Sequence, residues 1–108
     1  GVDVVINFTG GDTWLPSLKC VKRGGKILVC GATAGFDPKE DLRYIWSFEL
    51  QVIGSNSFYD ENLKALMDLW PGRFLANVNP ANTRSARLFE KAGFNHIQNT
   101  YSYDGNSR

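Results

Sequence analysis

Histidine is nearly absent from this chain of 108 residues and cysteine is scarce, with one His and two Cys. Zinc sites draw on Cys and His at set spacings, and disulfide scaffolds need many cysteines, so Cys20, Cys30 and His96 compose neither. No metal is expected, and both thiols read as buried and free. An excess of one charge is missing too, since 12 Lys and Arg face 11 Asp and Glu. The densest basic spot is Lys22-Arg23, which excludes the positive stripe a nucleic acid requires. No apolar run reaches membrane-spanning length, and no basic start leads into an apolar stretch, so neither a membrane span nor a secretory signal is expected. The expected setting is soluble and cytoplasmic. Asn7-Phe8-Thr9 has the form of a glycosylation acceptor, but it closes an apolar strand and is set aside.

What is present reads as one globular domain over residues 1–108, with 43% apolar and 13% aromatic residues. VDVVINF, residues 2–8, is a short, nearly continuous apolar run suited to a strand buried on both faces of a parallel sheet. Thr9-Gly10-Gly11 ends it. Asp12 or Thr13 then caps a helix carrying Trp14, Leu18 and Val21 on one face, with Gly24-Gly25 as its stop. KILVC, residues 26–30, is a second strand. Asp37-Pro38-Lys39-Glu40 opens a second helix whose inner stripe is Leu42, Ile45 and Trp46. LQVIG, residues 50–54, is a third strand, and Asp60 caps a helix with the stripe Leu63, Leu66, Met67 and Trp70. Pro71-Gly72 ends that helix. A fourth strand is expected over 74–78, a helix over 83–92 capped by Asn82, and Gly93 at its left-handed C-terminal position. One edge strand over 94–103 closes the chain, and residues 104–108 are expected to fray.

The blocks GVDVVINFTGG, SLKCVKRGGKILVCGATAG and LQVIGSNSF resemble the nucleotide-binding domain of medium-chain dehydrogenases and reductases, the family of zinc alcohol dehydrogenases and quinone oxidoreductases, over residues 1–70. The later block NVNPANTRSARLFEKAGF resembles the C-terminal part of GCN5-related N-acetyltransferases, a likeness extending over residues 74–103. The chain therefore reads as a chimera with its seam in DLWPGRFLANVNP, residues 68–80: a dehydrogenase-like segment 1–70 and an acetyltransferase-like segment 71–108.

The first resemblance implies a dinucleotide flanked by the loops after the family's fifth and sixth strands, which fall here at Gly31, Ala32, Thr33 and at Gly54, Ser55, Asn56. The Gly-rich phosphate turn and the acid that follows it are missing. The second resemblance implies coenzyme A, yet its phosphate-binding turn is missing as well, and Phe89 stands where a general-acid Tyr is common. From these absences no cofactor and no catalytic residue are expected, and the chain reads as a recombined or artificial folded scaffold without native catalysis, not an enzyme.

The implied fold is α/β, a three-layer αβα sandwich on a mostly parallel five-stranded sheet of Rossmann or flavodoxin type. Its expected strand order is 3-2-1-4-5, with the first two helices on one face and the last two on the other. In that order the switch point lies between the first and fourth strands, where Thr9, Gly10, Gly11, Asn79 and Asn82 would converge and bind residual nucleotide or coenzyme A. The aromatic load and the greasy second helix point to self-association as a homodimer.

Overall fold

A computed structural model describes residues 1–56, 60–79, 81–97 and 100–105 of the chain. VDVVIN forms β1 (Val2–Asn7), and its apolar run is explained by its place: strands lie on both sides of it, and Val4, Val5 and Ile6 are fully buried. A 3-10 turn (Gly11–Thr13) leads into α1 (Trp14–Cys20), followed by β2 (Val21–Val29), α2 (Leu42–Ser47) and β3 (Gln51–Gly54). Then come α3 (Asp60–Leu69), β4 (Phe74–Asn77), α4 (Thr83–Lys91), β5 (Asn95–Ile97) and β6 (Thr100–Tyr103). The sheet order is β3-β2-β1-β4-β6-β5. β1, β2, β3 and β4 are mutually parallel, while β6 runs antiparallel to β4 and β5.

The α/β class and the order 3-2-1-4 hold, with one correction at the edge: the final segment is a hairpin and the sheet has six strands. Tyr101 and Tyr103 must both reach the core, so β6 takes the place beside β4 and the short, exposed β5 is pushed to the outside. The pairing of Val4 with Phe74 through Asn7 with Asn77 places the C-terminal strand in register along β1. Residues 106–108, the Asp60 side chain and Pro80 lie outside the described residues.

Two cores sandwich the sheet. On one face Trp14 and Leu18 of α1 pack with Val5, Val21, Ile27 and Leu50, and Tyr44 and Ile45 of α2 lean on them. On the other, Leu63 and Met67 of α3 and Leu88 and Phe89 of α4 cover Val4, Ile6, Leu28, Phe74 and Ala76. Aromatic rings fill this second core. Phe89 stacks on Tyr101 at 6.0 Å, tilts against Phe94 at 5.1 Å and meets Phe8 edge-on at 5.9 Å. A hydroxyl at residue 89 would have to find a partner inside that cluster, which accounts for phenylalanine there.

The end of α1, the start of α2 and the inward face of α2 differ from the sequence reading. α1 ends at Cys20 because Val21 turns extended (φ −84°, ψ 134°) and buries its branched side chain opposite Val2; Gly24-Gly25 form a bulge within β2 rather than the helix stop. α2 starts after Asp41, whose carboxylate accepts the Arg43 N–H, so Asp37-Pro38 lies in the loop before it. Only Ile45 of the expected stripe turns inward; Leu42 and Trp46 are 57% and 67% exposed.

The junction after α3 is held by a carboxylate. Gly72 adopts φ 125°, where a Cβ would strike the Asp3 side chain. That clearance lets Asp3 Oδ2 accept the Arg73 N–H at 2.7 Å, while Asp3 and Val4 donate their N–H groups to the Arg73 carbonyl. Asp3 also pairs with Lys22.

Candidate functional site

The C-terminal edge of the parallel strands is organised around Asn7. This residue is fully buried, and its side-chain amide is used on both ends. Oδ1 accepts the N–H groups of Thr9 and Gly10 at 2.9 and 2.8 Å, while Nδ2 donates to Thr13 Oγ1 at 3.1 Å and Ser17 Oγ at 2.9 Å. Asn77, its neighbour on β4, donates to the same Ser17 oxygen at 3.1 Å. The crevice expected between β1 and β4 therefore contains a satisfied polar network at its base.

Thr9-Gly10-Gly11 folds over this base and docks on the loop after β2. The Ala34 N–H donates to the Thr9 carbonyl at 2.8 Å, and the Gly11 N–H donates to the Gly35 carbonyl at 2.9 Å. Gly10 sits at φ 64°, ψ −144°, and a Cβ on it would collide with the Gly35 carbonyl oxygen. The loops after β1 and β2 are thus one fastened unit. The Ser55 N–H donates to the Val29 carbonyl at 2.9 Å, which holds the start of the loop after β3 alongside.

Of the residues singled out from sequence, Thr9, Gly10 and Gly11 join Ala32 to Gly35 rather than Asn79 and Asn82. The two groups leave neighbouring strand ends, since the Phe8 N–H donates to the Asn77 carbonyl, and then bond separately. Asn79 Oδ1 accepts the Ala81 N–H at 2.9 Å, and Asn82 Oδ1 accepts the Ser85 N–H at 3.2 Å as the cap of α4. Both asparagines spend their acceptors on local backbone. Among the described residues the hydrogen bonds join the β1 loop to the β2 loop.

Thr9 carries a further feature that no sequence pattern announces. It is 8% exposed, and its Oγ1 finds no hydrogen-bond partner among the described residues. A buried hydroxyl without a partner costs free energy; Trp14 Nε1, in the core under α1, likewise finds none among the described residues. Burial pushes the thiol of Cys30, just past the end of β2, up to about 12. Among the described residues no three His, Cys, Asp or Glu side chains gather to hold a metal ion. No helix among them is long and apolar enough to cross a membrane.

This edge, formed by the loops after three parallel strands, belongs to the part of the chain that known proteins share. Residues 1–71 match the family described as zinc-binding dehydrogenase. Crotonyl-CoA carboxylase/reductase of Cereibacter sphaeroides is 36% identical over 55 residues, 51% of this chain and 13% of that protein. Crotonyl-CoA reductase of Streptomyces avermitilis is 33% identical over 55 residues, 51% of this chain and 12% of its own length. The chain therefore spans about one eighth of these curated relatives. The solved structure of a 2-octenoyl-CoA carboxylase reductase in complex with NADP and 2-octenoyl-CoA superposes with a TM-score of 0.51 and 25% identity, covering 85% of this chain and 22% of that one.

These likenesses overturn the reading of the chain as a recombined or artificial scaffold without native catalysis and not an enzyme. The missing phosphate turn excluded too much, because the matched relatives are reductases by name and residues 1–71 match their family. With residues 1–71 matched, the chain belongs to the zinc-binding dehydrogenase family.

Proposed function

We propose that the chain forms the nicotinamide-facing wall of an NADP-dependent reductase. One observation carries this reading: the loops after β1, β2 and β3 start side by side, tied by backbone hydrogen bonds, with Thr9 Oγ1 buried and without a partner among the described residues. Thr9, the backbone of Gly31 to Thr33 and that of Gly54 to Asn56 would hold the nicotinamide end, and the bound cofactor supplies hydride. The role of the chain's own residues is to orient that end and to keep water from it. The relatives named for crotonyl-CoA and 2-octenoyl-CoA support an unsaturated acyl thioester as the substrate class of the longer enzyme.

The pyrophosphate end does not fit the described residues. β4 holds the strand position beside β1, and its turn into α4 contains no glycine and is closed by Asn79 and Asn82. Zinc, which the family name carries, has no ligand set among the described residues. No step is assigned to either group. Residues 74–103 we read as a segment of acetyltransferase descent, supported by the NVNPANTRSARLFEKAGF pattern and by its position beyond residue 71. A natural dehydrogenase carrying that pattern after the same strand would overturn this second reading.

Amide NMR of the 108-residue chain with reduced nicotinamide mononucleotide and with NADPH tests the cofactor reading. Shifts centred on Thr9, Ala32, Thr33 and Ser55 with both ligands at millimolar concentration are expected. A response absent from these amides, or seen only with adenosine phosphates, would end it.

A further inference from the structure

α3 and α4 lie on the same face of the sheet, and a cleft of about 370 Å³ opens between them. Its floor is apolar: Leu63 and Met67 stand one turn apart on α3, Leu88 projects from α4, and all three are buried. The rim differs in kind. Lys64 and Lys91 flank the opening from the two helices, with Asp68 as the one acid among the described lining residues. Asp68 already has an interaction of its own. A volume at the lower end of the range of small-molecule sites, an apolar floor and a positive balance at the mouth together define a ligand class. A cation is disfavoured by the two ammonium groups, and a compact anion such as phosphate leaves the floor unused.

We propose that this cleft binds a medium-chain carboxylate, with its alkyl tail on Leu63, Met67 and Leu88 and its carboxylate at the Lys64 and Lys91 ammonium groups. The site is separate from the β1–β2–β3 edge and does not rest on the cofactor reading, because α4 lies beyond the matched residues 1–71. Burying alkyl surface supplies most of the affinity, so two added methylenes tighten binding about tenfold. The ammonium groups act on one end of the ligand only, and their surface pairing is modest and weakened by salt.

Met67 is the chain's only methionine, so a chain labelled with ¹³C at the methionine methyl reports from the cleft floor with a single resonance. Octanoate below its micellar concentration is expected to shift that resonance saturably in the millimolar range, and hexanoate to do so about tenfold more weakly. Octanol is expected to bind several-fold more weakly than octanoate at low salt, and the double variant Lys64→Gln/Lys91→Gln to erase that preference. Both changes lie on exposed side chains, so the fold is retained. An unmoved methyl resonance, equal binding of octanol and octanoate, or a preference that survives in the double variant would overturn the proposal.

Discussion

Ser17 on α1 and Asn77 at the end of β4, sixty positions apart, share a buried hydrogen bond of 3.1 Å. The same serine oxygen accepts from Asn7 and its hydroxyl donates to the Thr13 carbonyl, so one side chain ties the first helix to both central strands. Ser17→Ala leaves the Asn77 amide without this acceptor and the Asn7 Nδ2 with Thr13 alone. A loss of about 1–3 kcal/mol in urea unfolding is expected. The double variant Ser17→Ala/Asn77→Ala should cost less than the sum of the single changes, because the stranded amide is removed with its partner.

Asp3 and Gly72 make a second testable pair. In Gly72→Ala the new methyl meets the Asp3 carboxylate while φ stays near 125°, so a loss of about 1–3 kcal/mol is expected. Asp3→Asn gives up the pairing with Lys22 and weakens the bond to the Arg73 N–H, for about 1 kcal/mol.

The pH dependence of that site follows from its carboxyl. Burial alone would raise the Asp3 carboxyl, but the Arg73 N–H and Lys22 outweigh it, and the net position is below the ordinary aspartate value. A carboxyl depressed by folding contributes stability above its unfolded pKa and loses it as pH falls through the folded one. The gap in urea midpoint between the wild type and Asp3→Asn should therefore be full near about pH 7 and shrink toward about pH 3. A gap that stays constant would show that the carboxylate charge contributes nothing.

Much of the sheet was legible because its apolar runs are short and continuous. VDVVIN reads as a central strand and is one, and the run over 74–78 completes its open edge as expected. α2 misled because Asp37-Pro38 and Asp41 both offer a helix start, and packing of Tyr44 and Ile45 decides for the second. The hairpin was hidden because Ile97, Tyr101 and Tyr103 alternate as one strand would, although only the two tyrosines are buried. At the site, Asn82 was readable as a cap, since that role is local. The union of Thr9 to Gly11 with Ala32 to Gly35 was not, because it is made by backbone groups, which leave no mark in side-chain pattern. The network of Asn7, Ser17 and Asn77 did have a signal: the apolar runs VVI and FLA, in the two central strands, are each followed by an asparagine.

Thiol chemistry gives a check on the end of β2. Burial pushes the Cys30 thiol up to about 12 and raises that of Cys20 as well. In the Cys20→Ser variant near neutral pH, alkylation of Cys30 by iodoacetamide should run on the order of a thousandfold slower than that of a free thiol. Urea should restore the ordinary rate. Fast labelling of the native chain would mean that the β2 end opens to solvent more readily than its packing implies.

Thr9 separates stability from binding. Its hydroxyl is buried without a partner among the described residues, so Thr9→Val removes an unsatisfied polar group while keeping a branched side chain of the same shape. The variant should be about 1 kcal/mol more stable in urea than the wild type. If that hydroxyl is kept for a nicotinamide ligand, the same change should weaken the response to reduced nicotinamide mononucleotide by about tenfold. Gly10→Ala is the contrasting case: its methyl runs into the Gly35 carbonyl, so stability and ligand response should fall together. A Thr9→Val chain that loses stability would show that the hydroxyl is satisfied in solution. A more stable variant that responds to the ligand unchanged would remove Thr9 from the binding edge while leaving the fastened loops in place.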